Sequence, residues 1–566
     1  MTQAGAGPPP RASAASQVAA GILSSRALGF VRTALYAHFL GVGPHADVLQ
    51  TAFRSPNLLQ NLLGEGTISA GFIPVYSRML AEGRREEAGR FAGAVLGLLI
   101  AAAAGVALLG VVFAEPIVAV LATGYLTDAG DPAARIDRYP LAVTCVRILF
   151  PMTGLLVLSA WALGVLNSHR RFFVSYFAPV LWNVAILTGL VVAGYAVVGK
   201  PWSGEAVGGL SDEGRSRLLF AVCWAALVGG LLQFAVQLPF VFRQVRGFRL
   251  ALSTRVEGVR EALRASGPVL AGRGAYQLSA YLDLFLASWL AAGAPSSLQF
   301  AQVLYLLPVS LFGMSVAAAE LPELARLGGG AAQDFGRRLE ASLRQMTFLT
   351  LPTLVGYLGF GWLVVGAIYR RGAFGATDQW LVYLVLGAYS LGLLATTMAR
   401  LLQNSFYAVG ETRTPAKVAG VRVVASTAVA VPAMLLLDRY SVTSALGLAE
   451  TPGHTLYLGA LGLALGSAVG GWVELALLRV ALGRRLSAPP LPWRAVARFA
   501  GLAAGAAVPA AVLWWLLPSG LRLEAAAAAV VGTYAAVYLV GAHLLGFEEM
   551  EAWGGRFLRR LRRRPR

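Results

Sequence analysis

Charged residues are scarce in this sequence. Asp, Glu, Lys and Arg make up 13% of its 566 residues, about half the roughly 25% that is usual in soluble globular domains. Hydrophobic residues reach 57%, and the mean hydropathy is +0.65. The composition therefore excludes an ordinary soluble protein and predicts a protein that lies in a membrane.

Cysteine is nearly absent as well. The two cysteines, Cys145 and Cys223, fall within apolar segments. Lone thiols in apolar helices are usually packing residues, so the sequence excludes a disulfide framework and a cysteine-based metal site.

Sequence features of membrane enzymes and nucleotide-driven pumps are missing too. The chain has no G-x-x-x-x-G-K-[ST] phosphate loop and no G-x-S-G beside a suitable histidine. Its longest connections, near 123–138, 200–215, 243–266 and 438–455, are too short to hold a separate core. We therefore expect a protein that is not an enzyme and has no cofactor.

Apolar runs of about twenty residues repeat along the whole chain, each long enough to cross a bilayer as a helix. They predict an all-α polytopic membrane protein with about fourteen transmembrane helices, arranged as two six-helix lobes and two C-terminal helices. The spacing of Val256, Val259 and Leu263 predicts an amphipathic surface helix between the lobes. The predicted segments are a disordered N-terminus (1–16), a first lobe (17–245), the amphipathic linker (246–266), a second lobe (267–485), two further spans (486–546) and a basic tail (547–566).

The formal net charge is +19. With both termini in the cytoplasm, most Lys and Arg fall in cytoplasmic loops and in the C-terminal tail, as the positive-inside rule requires. The positive charge therefore reflects membrane topology and attraction to anionic membrane lipids. Basic patches interleaved with aromatic residues are absent, so we expect no nucleic-acid partner.

The first span carries two arginines. At 100° per residue, Arg26 and Arg32 share a polar arc of roughly 120° with Ser25 and Tyr36, while apolar residues occupy the rest of the helix. An arginine at the centre of a membrane helix costs about 2.5–3.5 kcal/mol on insertion scales. A hydrated cavity beside this face is the simplest way to lower that cost.

The second span repeats the pattern. Asp47 and Arg54 share an arc of roughly 100°, and Pro56 then interrupts the helix. Further on, Glu65 stands between two glycines. In the alternative interpretation, Asp47 only neutralises Arg26 or Arg32 in a buried ion pair. Arginine makes bidentate contacts with phosphate and keeps its charge, so the predicted cavity suits a phosphate or diphosphate.

Four stretches together resemble the MurJ (MviN) lipid II flippases, a family within the multidrug, oligosaccharidyl-lipid and polysaccharide exporters. The stretches are SRALGFVRTALYAHFLGVGPHADVLQTAFRSPNLLQNLLGEGTISAGFIPVYS (25–77), LNSHRRFFVSYFAPVLWNVAIL (166–187), IYRRGAFGATD (368–378) and FYAVGETRTPAKVA (406–419). They occur in the family's order, and together they extend over most of the chain.

The resemblance implies a central cavity that opens alternately to the two sides of the bacterial inner membrane. It also implies a cargo, lipid II, the peptidoglycan precursor linked to undecaprenyl pyrophosphate, which is carried from the cytoplasmic to the periplasmic leaflet for cell wall synthesis. We expect a monomer. The residues that match the family's substrate-contacting positions are Arg26, Arg32, Asp47, Arg54, Asn57 and Glu65.

The sequence departs from the family pattern at basic positions. Gln60 and Asn61 stand where members commonly have basic residues, and Val303 stands where the eighth helix has an arginine. Arg273 or Arg400 are candidates to replace these contacts. Because of these departures, two alternative functions remain. The protein could export another polyprenyl-linked glycan or an amphipathic compound, or it could be a scaffold that organises cell-wall machinery.

Sodium and a proton are the candidates for a coupling ion, and dependence on the membrane potential is the alternative. Asp283 is a lone carboxylate in the predicted seventh span, and it matches a position at which some relatives bind sodium. A structural role, with Asp283 hydrogen-bonded to hydroxyl groups of a neighbouring helix, is the alternative.

Overall fold

The protein is described here from a computed structural model. The structure describes residues 11–63, 65–128, 136–314, 316, 320, 332–449, 454–484, 491–518 and 520–550, without the side chains of residues 11–19, 58–70, 268–280, 314, 332 and 333. Helices joined by turns and short loops dominate these residues, which confirms the all-α prediction.

The chain divides into two compact units, residues 1–296 with 371–374, and residues 297–370 with 375–566. The helix that follows residue 250 packs against helices of the first unit, and the predicted lobe boundary near residue 250 stays a prediction. The helices that begin in the first unit are α1 (Arg11–Leu40), α2 (Pro44–Leu63), α3 (Glu65–Ala81), α4 (Arg85–Val112), α5 (Ala114–Leu121), α6 (Arg138–Ser168), α7 (Phe172–Val198), α8 (Gly204–Gly208), α9 (Asp212–Ala235), α10 (Leu238–Gln244), α11 (Val259–Ser288) and α12 (Ala294–Pro308).

Helix α1 begins inside the segment predicted to be disordered. It starts at Arg11, so the prediction of disorder is wrong for residues 11–16. The alanine-rich run RASAAS has high helix propensity, which accounts for the earlier start. Residues 1–10 lie outside the described residues.

Helix α6 lies at the centre of the first unit, packed against α2, α4 and α9. Its sequence is apolar on all sides, and Trp161 is completely buried. A helix that is hydrophobic all round belongs in the interior of a bundle. Cys145 on α6 and Cys223 on α9 are both buried free thiols.

A non-helical segment between α10 and α11 lies along α4. Gly89, Gly93 and Gly97 recur every four residues on one face of α4, and a Cβ atom added to each would lie 1.8, 2.1 and 2.4 Å from a backbone carbonyl oxygen of the segment 246–251. Only glycine allows two backbones to approach this closely. The first part of the predicted linker 246–266 is therefore held on α4 by backbone packing and is not helical.

The rest of the predicted linker is the first part of α11. This helix begins at Val259 and continues without a break to Ser288. Val259 is buried, whereas Leu263 is exposed. Only Val259 of the predicted apolar face is therefore fully buried in the protein, and Leu263 is not.

Ion pairs hold the start of α11 to the turn between α3 and α4. Arg78 donates to both carboxylate oxygens of Glu261, at 3.0 and 2.6 Å, and Arg84 donates to Glu257 at 2.6 Å. These hydrogen bonds keep the pKa of Glu257 and the pKa of Glu261 below their ordinary values.

Gly93→Ala is expected to destabilise the first unit, because its new Cβ would overlap the carbonyl oxygen of Arg249. Overpacking of this kind costs roughly 1–3 kcal/mol. Gly105→Ala is the matched control on the same helix, since nothing lies within 4 Å of the added carbon. Thermal unfolding of the purified protein in detergent would measure both, and equal midpoints for the two variants would contradict the close packing on α4.

The second unit contains most of α12 and the remaining helices. They are α13 (Ala332–Tyr369), α14 (Ala376–Leu391), α15 (Leu393–Ala408), α16 (Arg413–Leu437), α17 (Val442–Leu446), α18 (Gly459–Gly483), α19 (Trp493–Leu516) and α20 (Leu523–Leu544). A π-helical turn, Val309–Met314, follows α12.

Tertiary contacts compensate for a proline inside α13. Pro352 has no N–H, so the carbonyl of Phe348, four residues earlier, loses its helical donor. The hydroxyl of Tyr538 on α20 donates to that carbonyl at 2.9 Å. The long helix continues through the proline because α20 supplies the missing hydrogen bond.

Ten described helices are long and apolar enough to cross a membrane, and α14 with α15 forms a further candidate bent by 43°. This confirms a polytopic membrane protein. The predicted total of about fourteen spans stays a prediction.

Candidate functional site: the polar faces of the first two spans

Arg32 lies on the side of α1 that faces α7. Its Nη1 donates to Oδ1 of Asn183 at 3.0 Å, and its guanidinium lies 4.7 Å from the ring centroid of Trp182. Asn183 in turn donates to Ser25 Oγ at 3.5 Å and to the Pro179 carbonyl at 3.2 Å. The predicted polar face of α1 therefore exists, and α7 supplies its partners.

The guanidinium of Arg32 is only partly satisfied. Its Nε is buried, and no described residue accepts a hydrogen bond from it. The side chain as a whole is half-buried. Among the described residues only Asn183 accepts a hydrogen bond from the guanidinium, so its accessible N–H groups, unlike the buried Nε, are open to a ligand oxygen.

Arg26 and Arg54 differ from Arg32 in their surroundings. Arg26 is exposed, and the described part of the chain contains no hydrogen bond or ion pair to it. Arg54 is half-buried on α2, and its carbonyl accepts a hydrogen bond from Tyr281 of α11 at 2.5 Å. Asn57 is half-buried one turn further along α2, whereas the side chain of Glu65 lies outside the described residues.

Asp47 is sealed inside the first unit with an exposed fraction of 0%. One carboxylate oxygen accepts from the N–H of Gly293 at 2.6 Å, and the other accepts from the N–H of Ser296 at 2.8 Å. These two donors lie at the N-terminus of α12, where free N–H groups and the helix dipole favour an anion. Asp47 thereby joins the start of α2 to the start of α12.

Arg138, the first residue of α6, supplies the positive charge near Asp47. Its Nη1 lies 3.6 Å from Oδ2 of Asp47, and its Nε and Nη2 donate to Asp128 at 2.6 and 2.8 Å. Its guanidinium also lies 4.4 Å from the ring centroid of Tyr125. The alternative in which Asp47 neutralises Arg26 or Arg32 is therefore wrong.

Sequence reasoning missed Arg138, Asp128 and Tyr125. They lie in or beside the connection 123–138, whose sequence is typical of a polar loop, about eighty to ninety residues after Asp47. The sequence does indicate where the helix starts, because Asp137 is a good N-cap for a helix that begins at Arg138. The partner across the fold could not be read from this local pattern.

The other predicted positions are more dispersed. Asp283 lies on α11 with an exposed side chain. Gln302 and Val303 are half-buried on α12, whereas Gln60, Asn61 and the side chain of Arg273 lie outside the described residues. Within the described ranges, no group of three His, Cys, Asp or Glu side chains could hold a metal ion.

Comparison with known proteins agrees with this architecture. The sequence model of the family described as "Lipid II flippase MurJ" matches residues 36–524. A probable lipid II flippase MurJ of Rhizobium tropici is 31% identical over 472 residues, covering 82% of this chain and 79% of the relative. The lipid II flippase MurJ of Burkholderia cenocepacia is 28% identical over 543 residues, covering 93% and 96%.

The fold has a solved counterpart. A structure described as "Lipid II flippase MurJ, inward closed conformation" aligns with a TM-score of 0.69 at 20% identity, covering 93% of this chain and 99% of that one. At this identity the likeness concerns the fold alone, and the family model with the curated relatives carries the assignment. The chain belongs to the MurJ lipid II flippase family.

Proposed function

We propose that this protein moves lipid II, a peptidoglycan precursor on undecaprenyl pyrophosphate, from the cytoplasmic to the outer leaflet of the inner membrane. The single observation that carries the proposal is the half-buried Arg32, whose guanidinium has Asn183 as its one hydrogen-bond acceptor among the described residues. Such a group within a membrane helix needs an acceptor, and a diphosphate supplies several. The relatives named as lipid II flippases support the same cargo.

In this proposal residues of both α1 and α2 bind the cargo. Arg32, Arg26 and Arg54 attract and orient the diphosphate, and Asn57 and Glu65 contribute polar contacts further along the same spans. Asp47 positions helices and does not touch the cargo, because all its described contacts are within the protein. Since Asp47 joins α2 to α12, we propose that the starts of these two helices move together during alternating access.

The proposed topology follows from the positive charge. Both termini lie in the cytoplasm, which places the turn between α3 and α4, with Arg78, Arg84 and Arg85, on the cytoplasmic side. The chain acts as a monomeric transporter without catalytic chemistry. A coupling ion at Asp283, sodium or a proton, stays a prediction.

Depletion of the protein in its own host tests the cargo. We expect lipid II to accumulate in the inner leaflet and to become less accessible to an impermeant lipid II-degrading enzyme added outside. Expression of the wild-type chain from a plasmid should restore accessibility, and an empty plasmid is the matched control. Normal outer accessibility of lipid II during depletion would contradict the proposal.

A second cargo class is favoured by one departure from the family pattern. Val303 stands on α12 where family members commonly carry an arginine, which removes one cationic contact. If another polyprenyl-linked glycan accumulates on depletion while lipid II stays accessible, the protein exports that glycan instead.

A further inference from the structure

A group of charged and polar side chains lies within the membrane helices of the second unit, none of them part of the site on α1 and α2. We name it the second-unit cluster, and it consists of Tyr305 on α12, Arg400 and Gln403 on α15, Arg422 on α16 and Glu474 on α18. Arg422 and Glu474 each lie about 13 Å from the end of their helix, at 1.5 Å per residue. Under the proposed topology these two ends are both cytoplasmic, so the cluster lies at one depth inside the bilayer.

Both carboxylate oxygens of Glu474 accept hydrogen bonds from side chains of the protein. Its exposed fraction is 2%, one oxygen accepts from Gln403 Nε2 at 2.5 Å, and the other accepts from Arg422 Nη1 at 2.6 Å. Both carboxylate oxygens are therefore occupied by side chains of the protein, and Glu474 acts as an anchor that orients Arg422.

Arg422 keeps most of its donors free for a ligand. Its side chain is 31% exposed, and within the described residues only Nη1 makes a hydrogen bond, the one to Glu474. A guanidinium has five N–H donors in a rigid fork. The guanidinium is thus held at one nitrogen, and the side chain is partly accessible.

Arg400 adds a second positive charge to the same cluster. It is half-buried, and no described residue forms a hydrogen bond or an ion pair with it. Arg400 and Arg422 both act electrostatically on the hydroxyl of Tyr305, which bonds to Thr396. The ring of Tyr305 is stacked on Tyr389 with 5.4 Å between centroids, so this face of the cluster is rigid.

The charges of the second-unit cluster do not cancel. The cluster contains two arginines and one carboxylate, of which only Arg422 is paired with Glu474, and an arginine at membrane depth is costly unless water or an anion meets it. We propose that Arg400 and Arg422 form an anion-binding subsite of the second unit, which takes a carboxylate or phosphate group of the transported lipid-linked substrate. The subsite rests on the proposed function, and it replaces cationic contacts missing at Val303.

Binding to the full-length protein in nanodiscs tests the subsite. The probes are lipid II, which carries a diphosphate and peptide carboxylates, and undecaprenyl diphosphate, which carries the diphosphate alone. Arg400→Gln should weaken lipid II binding about tenfold, the amount expected for a lost charge-assisted hydrogen bond. Arg400→Lys should retain part of the affinity, because it keeps the charge and loses the fork.

The two probes distinguish the anionic group. Weaker binding of both lipids by Arg400→Gln assigns the subsite to the diphosphate, and weaker binding of lipid II alone assigns it to a carboxylate. Arg422→Lys is the second variant, since it keeps a cation beside buried Glu474 and so protects folding. It should weaken the same probes as Arg400→Gln.

Lys417→Gln is the matched control, because it removes an exposed positive charge from the same helix as Arg422. If Arg400→Gln and Arg422→Lys bind both lipids as tightly as Lys417→Gln does, the subsite is overturned while the proposed function stands. If the wild-type protein binds neither lipid, the proposed function and the subsite that rests on it are both overturned.

Discussion

Replacing Arg32 with alanine is expected to abolish growth of a strain depleted of its own lipid II flippase, while the variant accumulates in the membrane at the wild-type level. The substitution removes the hydrogen bond to Asn183 and the contact with Trp182. A cation–π contact of this kind contributes roughly 0.5–2 kcal/mol, and the loss of a charge makes insertion of α1 easier. Folding should therefore survive, whereas the donor proposed for the diphosphate is gone.

Arg32→Lys separates charge from geometry. Lysine keeps the positive charge but lacks the fork that binds Asn183 and a phosphate at once, so we expect slow growth. Arg217→Ala is the control, because Arg217 forms an exposed ion pair with Glu213 in the same unit. Growth curves and membrane immunoblots measure both properties. Wild-type growth with Arg32→Ala would show that this guanidinium is dispensable.

Replacing Asp47 with alanine is expected to destabilise the protein by about 3 kcal/mol, because breaking a buried ion pair leaves an uncompensated charge. Two N–H groups at the start of α12 also lose their acceptor. Arg138 keeps Asp128 as a partner, which holds the loss near the lower end of the usual range. Thermal unfolding in detergent and protein abundance should both decrease.

Glu213→Gln provides the comparison for Asp47. It removes one carboxylate from a surface pair on α9, where such pairs contribute about 0.3–0.5 kcal/mol. Asp47→Asn should be intermediate, since its amide oxygen still accepts one hydrogen bond while the charge is lost. If Asp47→Ala unfolds at the same temperature as Glu213→Gln, the buried carboxylate contributes nothing to stability.

The two spans differ in how far the sequence predicts them. The 100° spacing of α1 places Arg26 and Arg32 on a polar face, and the structure places Arg32 against polar and aromatic side chains of α7. Periodicity works here because it depends only on residues of one helix. For α2, the same reasoning finds Asp47 but suggests Arg26 or Arg32 as its partner, whereas the partner is Arg138.

The connection between α10 and α11 shows a second kind of error. Val256, Val259 and Leu263 have helical spacing, yet the helix begins only at Val259, and residues 246–251 of the same linker lie against the glycines of α4. Propensity and periodicity describe what a segment prefers alone. The small-residue face of α4 offers a close contact that outweighs this preference, and nothing in the linker itself reveals that face.

The sequence by itself determined the membrane class and the helical content, and it placed Arg26 and Arg32 on one face of α1, because each follows from local composition and from the period of one helix. Only the tertiary structure decided that Asp47 joins α12 and Arg138, that Tyr538 replaces the donor lost at Pro352, and that Glu474 orients Arg422. These pairings depend on which helices are neighbours. A buried charge or an orphaned carbonyl requires a partner, but its own position in the chain does not specify which distant residue will provide it.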